Sequence, residues 1–431
     1  MLTFEENEML TQSRKGTPGG AYFRSFWLPV VLSKELPEPD CPPVRVKMLG
    51  ESLLAFRDTQ GRVGLVDPRC PHRGANLYYG RNEDSGIRCV YHGWKFDVDG
   101  RCLEMPNAPP DSRYKERVKI SAYPTREYGE MVWAYLGPPG ELPDLPALEV
   151  GAVGSQHRYV SKKLQQCNWA QSMEGALDTA HFSFLHMPAP EAFDEINAQA
   201  PVDAKRFRWV RDDPMPRFEI VEHDVGFVMG AARKADGDEM YWRTTQFMLP
   251  NHATTPSTLP GETYFGYTWV PIDDVSCWIY TYAWNPERPL GKDEREKLDA
   301  GFGVMSVVGP DYVPIRNRDN EYLIDRNDQK HRTFTGVVGV AEQDAMIHDS
   351  QGYVADRTRE SLTATDPGVV HFRKMMLAGM RALGQENVAP PAARNGMAYL
   401  LRSGSWIADK RFGFEEIMLQ RFGDPIGRVN P

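Results

Sequence analysis

The chain has 431 residues, enough for two or three domains with ample core. Its 59 Asp and Glu outnumber its 50 Lys and Arg, for a formal net charge of −9, which argues against nonspecific binding to nucleic acid or to an acidic membrane surface. No run of about eighteen apolar residues occurs, the acidic start Met1-Leu2-Thr3-Phe4-Glu5-Glu6 lacks the pattern of an export signal, and four of the six cysteines, Cys41, Cys102, Cys167 and Cys277, are scattered and expected to stay reduced, so a cytoplasmic protein without membrane contact is expected.

In chain order, residues 4–12 read as a short helix and Gly16-Thr17-Pro18-Gly19-Gly20 as a loop. Alternation from Val44 to Phe56 predicts one or two strands, and Thr59-Gln60-Gly61-Arg62 turns the chain into a return strand, Val63 to Val66. Arg88 to Tyr91, Val118 to Ala122 and Met131 to Tyr135 read as further strands, and Asp99-Gly100 as a hairpin turn. Many short strands at close spacing predict a small antiparallel β domain. Gly137-Pro138-Pro139-Gly140, with Pro143 and Pro146, marks a boundary and divides the chain into 1–147 and 148–431. Beyond it, Asn168 to His186 has helical composition, 205–250 holds strand-like runs, 251–261 is loop, and Tyr264 to Trp284 alternates as strands. Pro289 to Met305 and Gly368 to Leu383 read as helices, the second starting at Asp366-Pro367 and stopping at Gly384. Strands and helices segregate, so the fold class is α+β.

Two stretches carry chemistry. Cys70-Pro71-His72-Arg73-Gly74-Ala75 and Cys89-Val90-Tyr91-His92-Gly93-Trp94 form C-x-H, sixteen residues, then C-x2-H. Two cysteines and two histidines in two short loops make a four-ligand metal site. Structural zinc accepts such a set. Each loop mixes Cys with His, however, which suits a [2Fe–2S] centre with two cysteines on one iron and two histidines on the other. The second stretch is Glu174-Gly175-Ala176-Leu177-Asp178-Thr179-Ala180-His181-Phe182-Ser183-Phe184-Leu185-His186. On a helix Asp178 and His181 share a face. His186 would sit about 140° round from His181, so both reach one metal only if the helix ends, bends or bulges between them.

The motifs C-P-H-R-G-A and C-x-Y-H-G-W-K-F resemble the signature of Rieske non-haem iron oxygenases, and the chain is most similar to the phthalate dioxygenase-like oxygenase subunits. The resemblance covers nearly the whole chain. It implies an N-terminal antiparallel β Rieske domain with a helical arm, followed by a catalytic domain with a curved antiparallel sheet and helices, helix-grip or START-like. Cys70, His72, Cys89 and His92 would hold the [2Fe–2S] cluster, and His181 and His186 would bind a mononuclear ferrous iron. A facial triad needs a carboxylate as third ligand. The family carries it downstream in a Gln-Asp pair, matched here by Gln343-Asp344, which makes Asp344 the choice, with Glu342 and Asp349 as fallbacks. Asp178 would bridge His181 to a cluster histidine of a neighbouring subunit, which requires a ring of subunits, a homotrimer or trimer-based hexamer. Of Arg206, Arg208, Arg211, Arg233 and Arg243 in the strand-rich region, Arg206 and Arg243 are expected to hold a substrate carboxylate, because guanidinium meets carboxylate bidentately.

The implied activity is aromatic ring dioxygenation of a phthalate-, isophthalate-, chlorobenzoate- or phenoxybenzoate-like acid. No dinucleotide fingerprint appears, so electrons must come from a partner, an NADH-dependent flavin/[2Fe–2S] reductase. An O-demethylating or aryl-ether-cleaving monooxygenase would use the same metals. A Rieske electron carrier without oxygenase activity would need only the first 140 or so residues, and a zinc scaffold would be colourless.

Overall fold

Antiparallel pairing organises both halves of the chain, and short-range turn chemistry sets the first of them. The computed structural model describes every residue except 141, 199–203, 257–262, 387, 430 and 431. In the N-terminal half, Val44–Met48, Glu51–Arg57, Val63–Val66 and Ala122–Tyr123 form one sheet in that order. The expected turn before Val63 is pinned by Asp58, whose carboxylate accepts hydrogen bonds from the N–H groups of Gln60 (3.0 Å) and Arg62 (2.8 Å). A second sheet pairs Trp27–Leu32 with Met131–Tyr135 and that strand with Thr125–Tyr128. A third runs Arg81–Glu83, Gly86–Arg88, Lys95–Phe96, Cys102–Glu104. One Cys/His loop precedes this last sheet in the chain, and the other joins Gly86–Arg88 to Lys95–Phe96.

Some local expectations are corrected. The strand expected over Arg88–Tyr91 covers Gly86–Arg88, because Cys89 already belongs to a loop. The one expected over Val118–Ala122 shortens to Ala122–Tyr123. Residues 18–20, read as loop, open the helix Pro18–Phe23: the Thr17 hydroxyl accepts from the Gly20 N–H (3.1 Å) and Pro18 occupies its first turn. Gly20 is there for close approach, since a Cβ would lie 2.0 Å from the Arg14 carbonyl oxygen.

The second half is built on an eight-stranded antiparallel sheet. Its order is Arg158–Gln165, Cys277–Trp284, Tyr264–Pro271, His252–Thr255, Glu239–Met248, Gly226–Lys234, Arg217–His223, with Ser405–Asp409 also paired to Glu239–Met248. The helices Trp169–Leu177 and Pro367–Glu386 are buried beside it, joined through Trp169 and Phe372 (centroids 5.9 Å). Phe23 of the N-terminal arm meets Trp169 edge-on at 4.9 Å, so arm and sheet share one core. The α+β class with a small β domain and a larger sheet-and-helix domain is what the chain adopts.

Within that domain the chain departs from expectation at several places. Ala204–Asp212 is a helix, not a strand, with Trp209 and Val210 buried and Lys205, Phe207 and Arg208 exposed. His252–Thr255, expected as loop, is a strand, and residues 257–261 of that loop lie outside the described residues. The helix expected over 289–305 is confined to Lys292–Asp299. The long helix runs through Gly384 to Glu386: helical hydrogen bonding overrides the weak local preference of one glycine. Among the described residues, no helix is long and apolar enough to cross a membrane.

Candidate metal centres and the adjoining cavity

The two Cys/His loops fold alike. In each, the residue four after the cysteine returns a hydrogen bond to its carbonyl, Gly74 to Cys70 and Gly93 to Cys89, both at 2.9 Å. The next residue accepts from the cysteine N–H, Cys70 to Ala75 (2.9 Å) and Cys89 to Trp94 (2.8 Å). Closing so tight a loop needs a left-handed residue, and Gly74 and Gly93 both have φ of 75°. Cys70 and Cys89 are buried, 2 % and 3 % exposed. The His72 and His92 rings stand 4.4 Å apart, and His72 stacks on Trp94 at 4.7 Å. Both Nδ1 atoms are buried without a hydrogen-bond partner. Orphaned imidazole nitrogens beside buried thiols are what a metal centre needs and what plain packing avoids. Burial pushes the Cys70 thiol up to about 11, so a ligating thiolate there needs the positive charge of a metal.

The second group forms because a helix ends. Asn168 caps the helix Trp169–Leu177, accepting from the Ala170 N–H at 3.0 Å. Asp178 terminates it in an extended conformation (φ −97°, ψ 115°). The chain then makes a tight 3-10 turn over His181–Ser183. Asp178 is therefore the C-cap and not a helical neighbour of His181. Its Oδ1 accepts from the N–H of Ala180 (2.7 Å) and of His181 (3.3 Å) and shapes the turn. This break lets both histidines aim at one point, with Nε2 atoms 3.1 Å apart. Asp344, on the helix Val340–Ser350, brings Oδ1 to 3.6 Å from His181 Nε2 and 3.2 Å from His186 Nε2. The three ligand atoms lie within 4.8 Å of one another. Two imidazoles and one carboxylate on one side of a point fit a non-haem ferrous iron.

Neither fallback carboxylate joins them. Asp349 accepts from the Tyr322 hydroxyl and from Gln165 Nε2 (2.5 Å), and Glu342 is not in the group.

Second-layer contacts complete the picture. His186 Nδ1 lies 2.7 Å from Gln343 Oε1, and Gln343 Nε2 donates to the Val337 carbonyl at 2.9 Å. The amide is thus held with its oxygen toward the ring, so Nδ1 carries the proton and Nε2 keeps a free lone pair. His181 Nδ1 is 3.5 Å from Asp178 Oδ2. Burial opposes ionisation of Asp344, but His186 and His181 outweigh it and hold the carboxyl well below the usual range. For His181, burial works against protonation while Asp178 and Asp344 raise it on balance. Gly175 has no room for a side chain, because a Cβ would meet His348 Nε2 at 2.1 Å. Arg233 is fully buried and donates to the Thr179 carbonyl at 2.7 Å, tying the ligand-bearing turn to the sheet.

A cavity of about 500 Å³ opens beside the triad, lined by His181, His186 and Asp344 and also by Arg206 and Arg243. Both expected arginines face it, Arg206 from the helix Ala204–Asp212 and Arg243 from the strand Glu239–Met248. Arg243 lies over the Phe182 ring at 4.3 Å, and its Nε is buried without a hydrogen-bond partner. Arg208 and Arg211 are not among the cavity residues. Sequence reasoning missed Gln343 as a support, Tyr241 on the cavity wall and the Gly175–His348 contact. Only the first had a signal, its place beside Asp344.

Residues 26–124 match the Rieske [2Fe-2S] domain model, and residues 134–399 match the LigXa C-terminal domain like model. Phthalate 4,5-dioxygenase oxygenase subunit of Pseudomonas putida is 39% identical over 91% of this chain and 91% of that protein. This chain belongs to the Rieske non-haem iron oxygenases. Other relatives are 3-chlorobenzoate-3,4-dioxygenase oxygenase subunit of Comamonas testosteroni, 33% identical over 98% of this chain and 99% of that one, and 5,5'-dehydrodivanillate O-demethylase oxygenase subunit of a Sphingobium strain, 30% identical over 89% and 82%. Dicamba monooxygenase, solved with dicamba bound, shares the fold at a TM-score of 0.57 and 16% identity, over 85% of this chain and 99% of its own. This Rieske oxygenase is accordingly an oxidoreductase, an oxygenase subunit whose cofactors are a [2Fe–2S] cluster and a mononuclear iron.

Proposed function

We propose that this Rieske oxygenase is the terminal component of a two-component dioxygenase that hydroxylates an aromatic carboxylate of the phthalate, isophthalate, chlorobenzoate or phenoxybenzoate kind. O2 is the oxidant and an NADH-dependent flavin/[2Fe–2S] reductase the electron donor. The observation that carries this reading is one cavity lined both by His181, His186 and Asp344 and by Arg206 and Arg243. Names of relatives acting on phthalate and chlorobenzoate support it. The iron, when bound, activates dioxygen, and the cluster stores the electrons that this needs.

The chain's own residues do the rest. Cys70, His72, Cys89 and His92 would hold the cluster, and His181, His186 and Asp344 would hold the iron. Gln343 orients His186, and Asp178 orients His181. Arg206 and Arg243 grip the substrate carboxylate, while Phe182, Phe207 and Phe265 offer ring faces and keep water out. Asp178 also serves as the bridge to a cluster histidine of a neighbouring chain in a homotrimer or trimer-based hexamer. Support comes from apolar surface at both ends of that contact, Val90 (60 % exposed) and Tyr91 (53 %) on the cluster loop, Phe184 (53 %) near the iron turn. We place the division between the Rieske unit with its N-terminal arm and the catalytic unit at 147/148. A reducing cytoplasm suits free thiols and ferrous iron.

The test is oxygen uptake and product identification across a panel of aromatic acids with a matching reductase. A cis-dihydrodiol or hydroxylated ring from a carboxylated substrate is the expected product. The O-demethylase relative favours a second reading, a monooxygenase on a methoxylated or phenoxy acid. Formaldehyde or a phenol leaving group, with no ring diol, would establish that one instead.

A further inference from the structure

Tyr241 sits where the cavity's positive charge converges. Residues 241, 243 and 245 of the strand Glu239–Met248 share one face, and all three line the cavity. The Tyr241 ring is 2 % exposed and packs on Trp209 with centroids 5.6 Å apart. Arg243 and Arg206 both act on its hydroxyl through space. Across the sheet its register partner is Arg233, fully buried. Among the described residues, no carboxylate forms an ion pair with Arg233 or Arg243, and both have a buried guanidinium nitrogen without a hydrogen-bond partner, Nη1 and Nε respectively. Positive charge this poorly compensated is costly unless an anion arrives. Burial alone would raise the phenol, but Arg243 and Arg206 outweigh it and lower it, which makes the O–H a stronger donor.

We propose that Tyr241 is a specificity-determining residue of this site, its hydroxyl donating a hydrogen bond to the carboxylate held by Arg206 and Arg243 and so selecting the ionised acid over a neutral group of similar shape. This rests on the arginine grip proposed above. The phenol is well suited to the task. It is rigid, because Trp209 fixes its ring. Its oxygen can accept from a guanidinium while its proton goes to an arriving anion, whereas a guanidinium only donates.

The experiment measures anaerobic binding of phthalate, isophthalate and benzoate, and of their methyl esters, to the metal-loaded protein. Wild type is compared with Tyr241→Phe and Arg243→Gln, using the visible cluster absorption as a folding control. A hydrogen bond to a charged group is worth about 1.5–3 kcal/mol, so loss of the hydroxyl should raise Kd for the best-bound acid roughly tenfold or more. Kd for its ester should stay within about twofold, and kcat should fall less than kcat/KM. If Arg243→Gln weakens the acid while Tyr241→Phe does not, Tyr241 has no such role and the arginine grip stands. If Tyr241→Phe weakens acid and ester equally, the hydroxyl acts on pocket shape and the proposal fails. If wild type binds none of the acids, or Arg243→Gln leaves acid binding unchanged, the grip itself is wrong and the role of Tyr241 falls with it.

Discussion

His186 turns Nδ1 to Gln343 and Nε2 to His181 and Asp344, so its two nitrogens have divided duties. Gln343→Leu removes the acceptor that fixes the tautomer, and supports of this kind are worth about 10–100-fold in metal affinity. Iron titration of the apoprotein should show that loss with the cluster spectrum intact, and Gln343→Glu should recover most of it. On the proposed assignment, His181→Ala removes a ligand outright. It should abolish turnover and lower iron from about three to about two per chain while the visible spectrum persists; retained activity would mean the iron site is misplaced. A different kind of residue governs pH response. His252 is buried with its Nδ1 2.7 Å from Thr268 Oγ1, and burial lowers its pKa to about 3 from 6.5. Between those values the unfolded chain binds a proton that the folded chain refuses, so this contribution to stability is full above pH 6.5 and declines as pH falls. At pH 5 the loss is about 2 kcal/mol. Thermal unfolding should show a midpoint that drops from pH 7 to pH 5, and His252→Asn should flatten that slope.

At the scale of elements, the end of the helix Trp169–Leu177 decides the site. A helix continued through His186 would send the two histidines to different sides. Asp178 stops it by taking the N–H groups of Ala180 and His181 for its own side chain. On the preceding turn, Glu174 is held by Arg357 (2.9 Å) and Arg373 (2.7 Å), which ties this helix to the long C-terminal one. Gly175 leaves room for the His348 ring, from the helix that carries Asp344, to approach it closely. Gly175→Ala should push the two helices apart and cost about 1–3 kcal/mol, with iron lost and the cluster kept. His348→Ala in the same chain should restore part of both. Purely additive effects in that double-mutant cycle would show that the two positions are not in contact.

For the whole molecule, the proposed assignment divides each working centre between neighbouring chains. Mixing a Cys70→Ala chain with a His181→Ala chain should yield mixed trimers with measurable activity, since some interfaces pair an intact cluster with an intact iron site. Separate homotrimers should be inactive. No activity in proven mixed trimers would place electron transfer within one chain and end the role of Asp178 as a bridge.

What could be read in advance follows from the range of the forces involved. The two Cys/His loops were legible because each gathers its cysteine and histidine within a few residues, and the glycines that close them sit at Gly74 and Gly93, where φ is 75°. The strands at Val44–Met48, Glu51–Arg57 and Met131–Tyr135 were legible from alternation or apolar runs, and Asp344 from a motif. Arg206 was expected on a strand and lies on a helix: a charged stretch with Trp209 and Val210 buried satisfies either pattern until a partner surface exists. The sequence by itself determined which residue types could hold two metals and where the chain must turn, because backbone angles and ligand spacing are local properties. Only the tertiary structure decided that His186 meets Gln343, 157 residues away, that Gly175 makes room for His348, and that Tyr241 faces Arg243 inside one cavity. Those contacts come from sheet register and helix packing, which depend on burial of the whole chain at once.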